Sequence, residues 1–237
     1  MAKQATAKVS VTALGQVRIF SPLTEEELTV LAENCSWSRH EAASEVLAQD
    51  APCDEVYFIC SGRVSAKTFS DAGKEITFAE LVQGDVFGEL SALDGEPRSS
   101  FVVTLEESLL AALPARVFNE FLDSHPKIMR ALLVELTGRL RRADEKVFEF
   151  STLNTSNRIH AELLRLASMH PAQDGTVEIT PPPTHADLAS RTNTTRESVT
   201  RTLNQLKQGG LIEATRQCLT ILDPDTLTKL IRDSETD

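Results

Sequence analysis

Long hydrophobic runs are the first thing that this sequence lacks. None of the apolar stretches in its 237 residues approaches the roughly 20 residues of a membrane-spanning helix. The opening MAKQATAKVSVTALG also lacks the apolar block of a secretory signal. We therefore expect a protein that stays in the cytoplasm and has no membrane partner.

Cysteine is scarce, and metal-ligating residues are not clustered. The four cysteines form no C-x-x-C pair, which argues against a disulfide framework or a zinc ribbon; they are Cys35, Cys53, Cys60 and Cys218. The five histidines are equally dispersed, at His40, His125, His160, His170 and His185. A metal-dependent phosphodiesterase would need grouped His and Asp ligands. We expect idle thiols, no bound metal and no enzymatic activity.

Positive charge is scarce overall but is concentrated in one segment. The formal net charge of -11 argues against a nucleic-acid partner, because phosphate binding favours a basic surface. Between Pro182 and Leu222, however, five basic residues stand against three acidic ones. This segment alone is predicted to face DNA.

The first half of the chain has the pattern of a compact β-domain. A short helix is predicted to begin at Thr24, which has capping-box spacing to Glu27. Short apolar runs then predict strands at 56–60, 76–82, 101–103 and 109–113. Gly62, Gly73 and Gly84 recur every eleven residues and are predicted to form turns with positive φ.

A long helix is predicted from Pro126 to about Ser151, where no breaker interrupts the chain. Its apolar residues have the 4, 3, 4, 3 spacing of a coiled-coil seam, at Leu136, Leu140, Ala143, Val147 and Phe150. Such a narrow stripe favours pairing with the same helix of a second subunit, and therefore a homodimer. Packing within one chain is the alternative, because fewer than four heptads are present.

The C-terminal part has the pattern of a winged helix-turn-helix. A helix capped near Asn154 and a strand at 176–180 precede two closely spaced helices, 184–191 and 195–208. Asn193 suits the left-handed turn between them, and either Thr194 with Glu197 or Thr195 itself caps the second helix. The Gly209-Gly210 pair ends that helix, and a hairpin around 215–218 forms the wing.

Three charged side chains of the second helix can face one DNA groove. Arg196, Glu197 and Arg201 fall within roughly 140° of arc at about 100° per residue. Arginine matches the O6/N7 edge of guanine and a carboxylate accepts from cytosine, so the trio suits a G·C-containing site. Arg216 at the wing tip is expected to contact a phosphate. The alternative is an ordinary solvated helix face.

A second motif suits an anionic ligand. The segment GDVFGELSAL at 84–93 places a glycine turn before a short helix, whose backbone N–H groups are free for an anion. Arg98 and Ser99 supply a charged fork and a hydroxyl for a phosphate. Glu89 would repel a bare phosphate but suits a ribose hydroxyl.

Over nearly its whole length the chain resembles the cyclic-AMP receptor protein (CRP/FNR) family of bacterial regulators. FGELSAL followed by RSS is similar to the phosphate-binding cassette of that family, and TRESVTR is similar to its DNA-reading helix. The resemblance implies an α+β fold with three parts: a cyclic-nucleotide-binding β-roll domain at 1–125, a dimerisation helix and hinge at 126–153, and a winged helix-turn-helix domain at 154–237.

The resemblance also implies the roles of particular residues. The sugar-phosphate would be contacted by Gly88, Glu89, Leu90, Ser91, Arg98 and Ser99. A palindromic operator with TGTGA-like half-sites would be read by Arg196, Glu197 and Arg201. RNA polymerase is an implied partner, and the loop 169–175 is its expected contact.

The long helix is expected to contact the base of the nucleotide. Arg139, Ala143 and Asp144 are the candidates there, and the last two align with threonine and serine in the cyclic-AMP receptors of the family. An ionised Asp144 only accepts hydrogen bonds, which fits the amino group of adenine and fits guanine still better. Cyclic AMP is the predicted ligand and cyclic GMP stays open. Asp144 as a solvated coiled-coil charge is the alternative.

Other functions on the same scaffold are less well supported by the sequence. An iron–sulfur sensor needs clustered cysteines near the start, where only Cys35 stands, and a haem sensor needs a positioned histidine. A sensor of another ligand, a ligand-independent DNA binder and a subunit that acts through protein contacts alone remain the alternatives.

Overall fold

The computed structural model describes residues 11–52, 54–71, 73–173 and 175–233. The chain divides into two compact units, Met1–Leu140 and Arg141–Asp237, so that the boundary falls inside a long helix. From the sequence, residues 126–153 are instead predicted to be a separate segment, the dimerisation helix and hinge. That three-part division stays a prediction.

The described part of the first unit contains eight strands. They are β1 Ser36–His40, β2 Glu45–Leu47, β3 Glu55–Ser61, β4 Arg63–Phe69, β5 Glu75–Val82, β6 Val86–Phe87, β7 Phe101–Thr104 and β8 Ser108–Pro114. They form two antiparallel sheets, in the orders β1-β8-β3-β6 and β2-β7-β4-β5. Each sheet turns alternate side chains inward, as for Phe58 of β3, which is fully buried.

Besides a helical stretch at 11–14 and the 3-10 helix Arg18–Phe20, four α-helices belong to the described first unit or lead out of it. They are α1 Glu25–Glu33, α2 Glu89–Asp94, α3 Ala115–Ser124 and α4 Pro126–Thr152. Helix α1 begins at the predicted capping box, in which Thr24 accepts from the Glu27 backbone N–H and Glu27 accepts in return. Buried Phe118 of α3 packs against the sheet, with its ring centroid 6.2 Å from that of Phe58.

The glycine turns adopt the predicted backbone conformation. Gly62, Gly73 and Gly84 have φ values of +91°, +73° and +91°. The strands β1, β2, β4 and β6 were not predicted, because they are short or carry many polar residues, as in RVSAKTF of β4. Their partners, rather than their own hydrophobic pattern, define them.

The second unit is a three-helix cluster and a small sheet followed by a last helix. Its elements after α4 are α5 Thr155–Ala167, β9 Ala172–Gln173, β10 Thr176–Ile179, α6 His185–Arg191, α7 Arg196–Gln208, β11 Ile212–Ala214, β12 Leu219–Ile221 and α8 Pro224–Asp233. The strands are ordered β11-β12-β10-β9, and the predicted wing is the β11–β12 hairpin. Helix α8 was not predicted, although Asp223 caps it by accepting from the Thr226 backbone N–H.

Residue Asp174, in the predicted polymerase-contacting loop 169–175, lies outside the described residues, as does Cys53. None of the helices in the described ranges combines the length and the hydropathy that a membrane span requires.

The predicted seam of α4 is largely uncovered in this single chain. Leu140 and Val147 are 62% and 64% exposed, and Ala143 is exposed as well. Leu136 differs, because it is half-buried against the core of the first unit. The stripe also begins earlier than predicted: Met129 and the 56% exposed Leu133 continue the 4, 3 spacing toward the helix start.

A buried ionic cluster ties the end of α4 to the helices that follow. Glu162 of α5 is only 2% exposed and forms ion pairs with Arg165 and with Arg191 of α6. Arg165 also pairs with Glu149 of α4, with 2.5 Å between Nη2 and Oε1. Burial raises the pKa of the Glu162 carboxyl, and the positive charge of Arg165 opposes that effect.

We expect Glu162→Ala to destabilise the protein by about 3 kcal/mol or more, because it leaves the nearly buried Arg191 without this partner. The thermal unfolding midpoint measures the loss. Glu213→Ala, which removes an exposed carboxylate of β11, is the matched control and is expected to have little effect. Equal midpoints for the two variants would contradict a structural role for the cluster.

Candidate functional site

The predicted anion site is built around a glycine turn. Strand β6 ends at Phe87, and Gly88 with φ of +77° forms the N-cap of α2. A Cβ atom at Gly88 would lie only 2.7 Å from Nη1 of Arg98. Glycine is therefore required here twice, for the left-handed backbone and for the close approach of the guanidinium.

Arg98 is buried, and one of its N–H groups has no acceptor among the described residues. Its side chain and backbone together are only 4% exposed. Nη1 donates to the Gly88 carbonyl at 2.8 Å and Nη2 to the Glu55 carbonyl at 2.5 Å, while the buried Nε–H has no partner among the residues that the structure describes. Among the described residues no carboxylate forms an ion pair with Arg98. A buried cation held only by neutral carbonyls favours an anion beside it.

Glu89 is held by a cation of the long helix. Its carboxylate is 2% exposed and pairs with Arg139, with 2.9 Å between Oε1 and Nη1. Arg139 also donates to the Val86 carbonyl at 2.7 Å and pairs with Glu135 through Nε. Burial raises the pKa of Glu89, and Arg139 opposes the rise. The structure thus joins Glu89 to Arg139.

The other predicted residues of the cassette differ in their placement. Ser91 is buried, and its hydroxyl donates to the Pro97 carbonyl at 3.2 Å, which holds the loop before Arg98. Leu90 is 46% exposed and Ser99 is exposed. Ligand contact by these residues stays a prediction.

Ala143 and Asp144 are exposed on α4 in the second compact unit, and their contact with a nucleotide base also stays a prediction. Two neighbours of the site were not predicted: the carbonyl of Glu55 and the ring of Tyr57, which stacks on Phe87 at a centroid distance of 5.1 Å. Every residue has a backbone carbonyl, so a contact through one cannot be predicted from residue types. The alternating pattern of β3 could have placed Tyr57 on one face of the sheet, where it is the cross-strand neighbour of Phe87.

The second predicted site is the pair of helices α6 and α7. Thr184 caps α6 in a capping box with Asp187, and Thr195 caps α7 by accepting from the Ser198 backbone N–H. Thr195 is thus the cap, one of the two possibilities that the sequence left open. Asn193 has φ of +50°, as the turn between the helices requires. The facing apolar residues Leu188, Ala189, Val199 and Leu203 are buried.

The outer face of α7 forms an open surface hollow. Arg196, Glu197 and Arg201 are exposed and line it together, as the helical spacing predicted. Four further residues line the same hollow and were not predicted: Thr200, Asn204, Gln205 and Gln208. Their spacing of three and four residues is the signal that could have revealed them.

The wing and the first helix flank this face. Arg216 is exposed in the turn that joins β11 to β12, where the Thr215 backbone N–H donates to the Cys218 carbonyl. His185 at the start of α6 lies 2.8 Å from the Thr200 hydroxyl through Nδ1. The DNA contacts of Arg196, Glu197, Arg201 and Arg216 stay predictions.

Comparison with known proteins follows the same division of the chain. The family described as Cyclic nucleotide-binding domain matches residues 38–125, and the Crp-like helix-turn-helix domain matches residues 157–230. The fold and the two sites therefore define a DNA-binding transcription regulator with a cyclic-nucleotide-binding domain.

Similar proteins cover most of the chain. The CRP-like cAMP-activated global transcriptional regulator of Mycobacterium tuberculosis is 26% identical over 220 residues, which are 92% of this chain and 98% of the relative. The chain belongs to the CRP/FNR family of transcription regulators. The predicted family and fold class are confirmed.

Two further matches carry different names. The global nitrogen regulator of Synechocystis is 29% identical over 182 residues, covering 75% of this chain and 80% of that protein. The solved structure of the c-di-GMP responsive global regulator CLP of Xanthomonas campestris has a TM-score of 0.72 at 20% identity, covering 81% of this chain and 95% of that one. The second match shows similarity of fold alone.

We expect Gly88→Ala to destabilise the protein more than Gly95→Ala. Both glycines have φ of +77°, so both variants bear the left-handed strain of about 1–2 kcal/mol. Only the Gly88 variant also displaces the Arg98 guanidinium, because a Cβ atom at Gly95 meets nothing within 4 Å. Denaturant unfolding of the two variants measures the difference. Equal losses would show that the approach of Arg98 to Gly88 is not a constraint.

Proposed function

We propose that this protein is a homodimeric transcription regulator whose DNA binding is controlled by cyclic AMP, with cyclic GMP as the alternative ligand. Its operator is a palindrome with TGTGA-like half-sites. The observation that carries the proposal is the buried Arg98 guanidinium, which has an unpaired Nε–H and no described carboxylate partner.

The residues around Arg98 suit two different parts of a cyclic nucleotide, its phosphate and its ribose. The cyclic phosphate is a monoanion, which suits Arg98 and the exposed hydroxyl of Ser99. The ribose hydroxyl is a donor, which suits the carboxylate of Glu89 that Arg139 holds in place. A free inorganic phosphate satisfies only the first part, and Glu89 would repel its higher charge. The residues therefore fit a nucleotide better than a simple anion.

The base is assigned to the long helix. Ala143 has no hydroxyl where the cyclic-AMP receptors of the family carry one, and Asp144 offers only acceptors when ionised. Adenine presents one amino group to such an acceptor, whereas guanine presents an amino group and N1–H. Cyclic AMP is proposed as the ligand because of the resemblance to the family's cyclic-AMP receptors. These two departures also keep open a sensor of another ligand on the same scaffold, such as cyclic di-GMP.

DNA reading is assigned to α7 and the wing. Arg196 and Arg201 recognise guanine, Glu197 accepts from cytosine, and Arg216 contacts the backbone. Two recognition helices of a dimer must lie about 34 Å apart to read consecutive turns of one DNA face. The ligand favours the arrangement of the dimer seam that gives this spacing, and the hinge lies near Leu153-Asn154. The nucleotide is an effector and is not consumed.

Dimerisation is supported by the uncovered stripe of α4. Met129, Leu133, Leu140 and Val147 follow a heptad spacing, and each is at least 37% exposed. Burying such a stripe against a second copy removes apolar surface from water. Contact with RNA polymerase through the loop 169–175, and action in the cytoplasm, complete the proposal and rest on the family resemblance.

We expect calorimetry with cyclic AMP and cyclic GMP to detect binding to the wild type, and an electrophoretic shift on a TGTGA palindrome to require the bound nucleotide. Arg98→Leu is expected to abolish that dependence. Because Arg98 is buried and the variant could unfold, Ser99→Ala provides a second test at an exposed position. It is expected to weaken nucleotide binding roughly tenfold, since a hydrogen bond to a charged group is lost.

A control variant, Ser70→Ala, removes a half-buried hydroxyl that accepts from the Lys74 backbone N–H in the turn between β4 and β5, and it is expected to bind nucleotide normally. No shift under any nucleotide, or ligand-driven DNA binding that survives in a folded Arg98→Leu variant, would overturn the proposal. Binding of cyclic di-GMP alone would favour the other-ligand alternative.

Replacing Leu140 or Val147 by Glu is expected to dissociate the dimer, because it places charges in the apolar seam. Sedimentation equilibrium is expected to give twice the 26.0 kDa chain mass for the wild type and the chain mass for these variants. Arg141→Glu changes an exposed residue beside the seam and is expected to leave a dimer. A monomeric wild type would exclude the homodimer.

A further inference from the structure

We propose that Asn204 is a further base-reading residue of helix α7 and that it recognises an A·T base pair beside those read by Arg196, Glu197 and Arg201. This inference rests on the proposed reading of DNA by α7. It extends the reading face by one helical turn toward the end of the helix.

The first observation is the position of Asn204 around the helix. It lines the surface hollow of α7 together with the three predicted residues. At about 100° per residue it lies roughly 80° from Arg196, inside the arc of roughly 140° that ends at Arg201. It therefore points within about 20° of the direction of Glu197. A helix that turns Glu197 toward the base edges turns Asn204 the same way.

The second observation is the position along the helix axis. Asn204 follows Arg201 by three residues, which is about 4.5 Å at 1.5 Å per residue. Successive base pairs are spaced by about 3.4 Å. The short Asn side chain thus reaches about one base pair beyond the contact of Arg201. Gln208 lies one turn further, at the last position of α7.

The third observation is that the amide of Asn204 is available. The residue is exposed, and its side chain forms no hydrogen bond within the described part of the chain. Thr200 on the same face differs, because its hydroxyl donates to the Arg196 carbonyl at 2.9 Å and contacts His185. The carbonyl and the NH2 of Asn204 are both free for a partner outside the chain.

The chemistry of the amide selects the base. An asparagine side chain matches adenine by accepting from N6 and donating to N7, and it is neutral, so it gains little from a phosphate. The four residues together would then read a site in which an A·T pair adjoins the G·C pairs. The loss of Asn204 should relax one position of each half-site and leave the rest unchanged.

The test is selection of preferred sites from random duplex DNA by the full-length protein, with and without cyclic AMP. Random DNA makes the result independent of the proposed TGTGA operator. In the Asn204→Ala variant, the preference for adenine is expected to fall roughly tenfold at one symmetric pair of positions. The salt dependence of binding and the affinity for non-specific DNA are expected to stay unchanged. The exposed site and the good helix propensity of alanine keep this variant folded.

Three further variants test whether the change in base preference belongs to Asn204. Asn204→Asp is expected to shift the preference at that same position from adenine toward cytosine, because a carboxylate only accepts hydrogen bonds. Gln83→Ala removes an exposed amide outside α7, so it is the matched amide control and is expected to keep the wild-type site. Arg201→Ala is expected to relax a different, neighbouring position.

Unchanged site preferences in both Asn204 variants would overturn the inference. So would a uniform loss of affinity with a smaller salt dependence, which would mark a phosphate contact. A wild type that selects a different motif contradicts the operator part of the proposed function but still tests Asn204. A wild type that shows no sequence preference would overturn both the proposed operator and the proposed role of Asn204.

Discussion

The buried guanidinium of Arg98 constrains the backbone of the elements around it. A guanidinium with little access to water needs acceptors for its N–H groups. Here two neutral carbonyls accept from it, and its Nε–H has no acceptor among the described residues. Gly88 has no side chain because the guanidinium occupies that space. The turn before α2, the position of Glu89 and the close approach of β3 all follow from placing this one cation.

Ion pairs anchor the long helix α4 within each of the two compact units. In the first unit Arg139 reaches the buried Glu89, and in the second Glu149 reaches Arg165, which holds the buried Glu162. Such pairs are directional and depend on charge, so they favour discrete arrangements over continuous ones. Helix α4 is thus held by ion pairs in both units, while an apolar stripe along it is exposed in the single chain.

The elements with strong local signals were predicted correctly. The capping residues Thr24 and Thr184, the left-handed Asn193 and the glycine turns are determined by short-range sterics and hydrogen bonds, which sequence patterns record directly. The strands β1 and β4 and the helix α8 were missed, because the partners that define them are distant in sequence. The exposed apolar stripe of α4 is longer than predicted, since Met129 and Leu133 continue it toward the start of the helix.

The family, the fold class and the residue types of both candidate sites could be predicted from the sequence, because the FGELSAL, RSS and TRESVTR motifs are local and specific. Which of those residues are buried, and what they contact, became clear only from the folded chain. Arg98 has no described carboxylate beside it, Ser91 holds a loop, Arg139 holds Glu89, and Asn204 shares the outer face of α7. The physical reason is that burial and pairing depend on residues far apart along the chain, such as Glu55 and Arg98, which no local pattern relates.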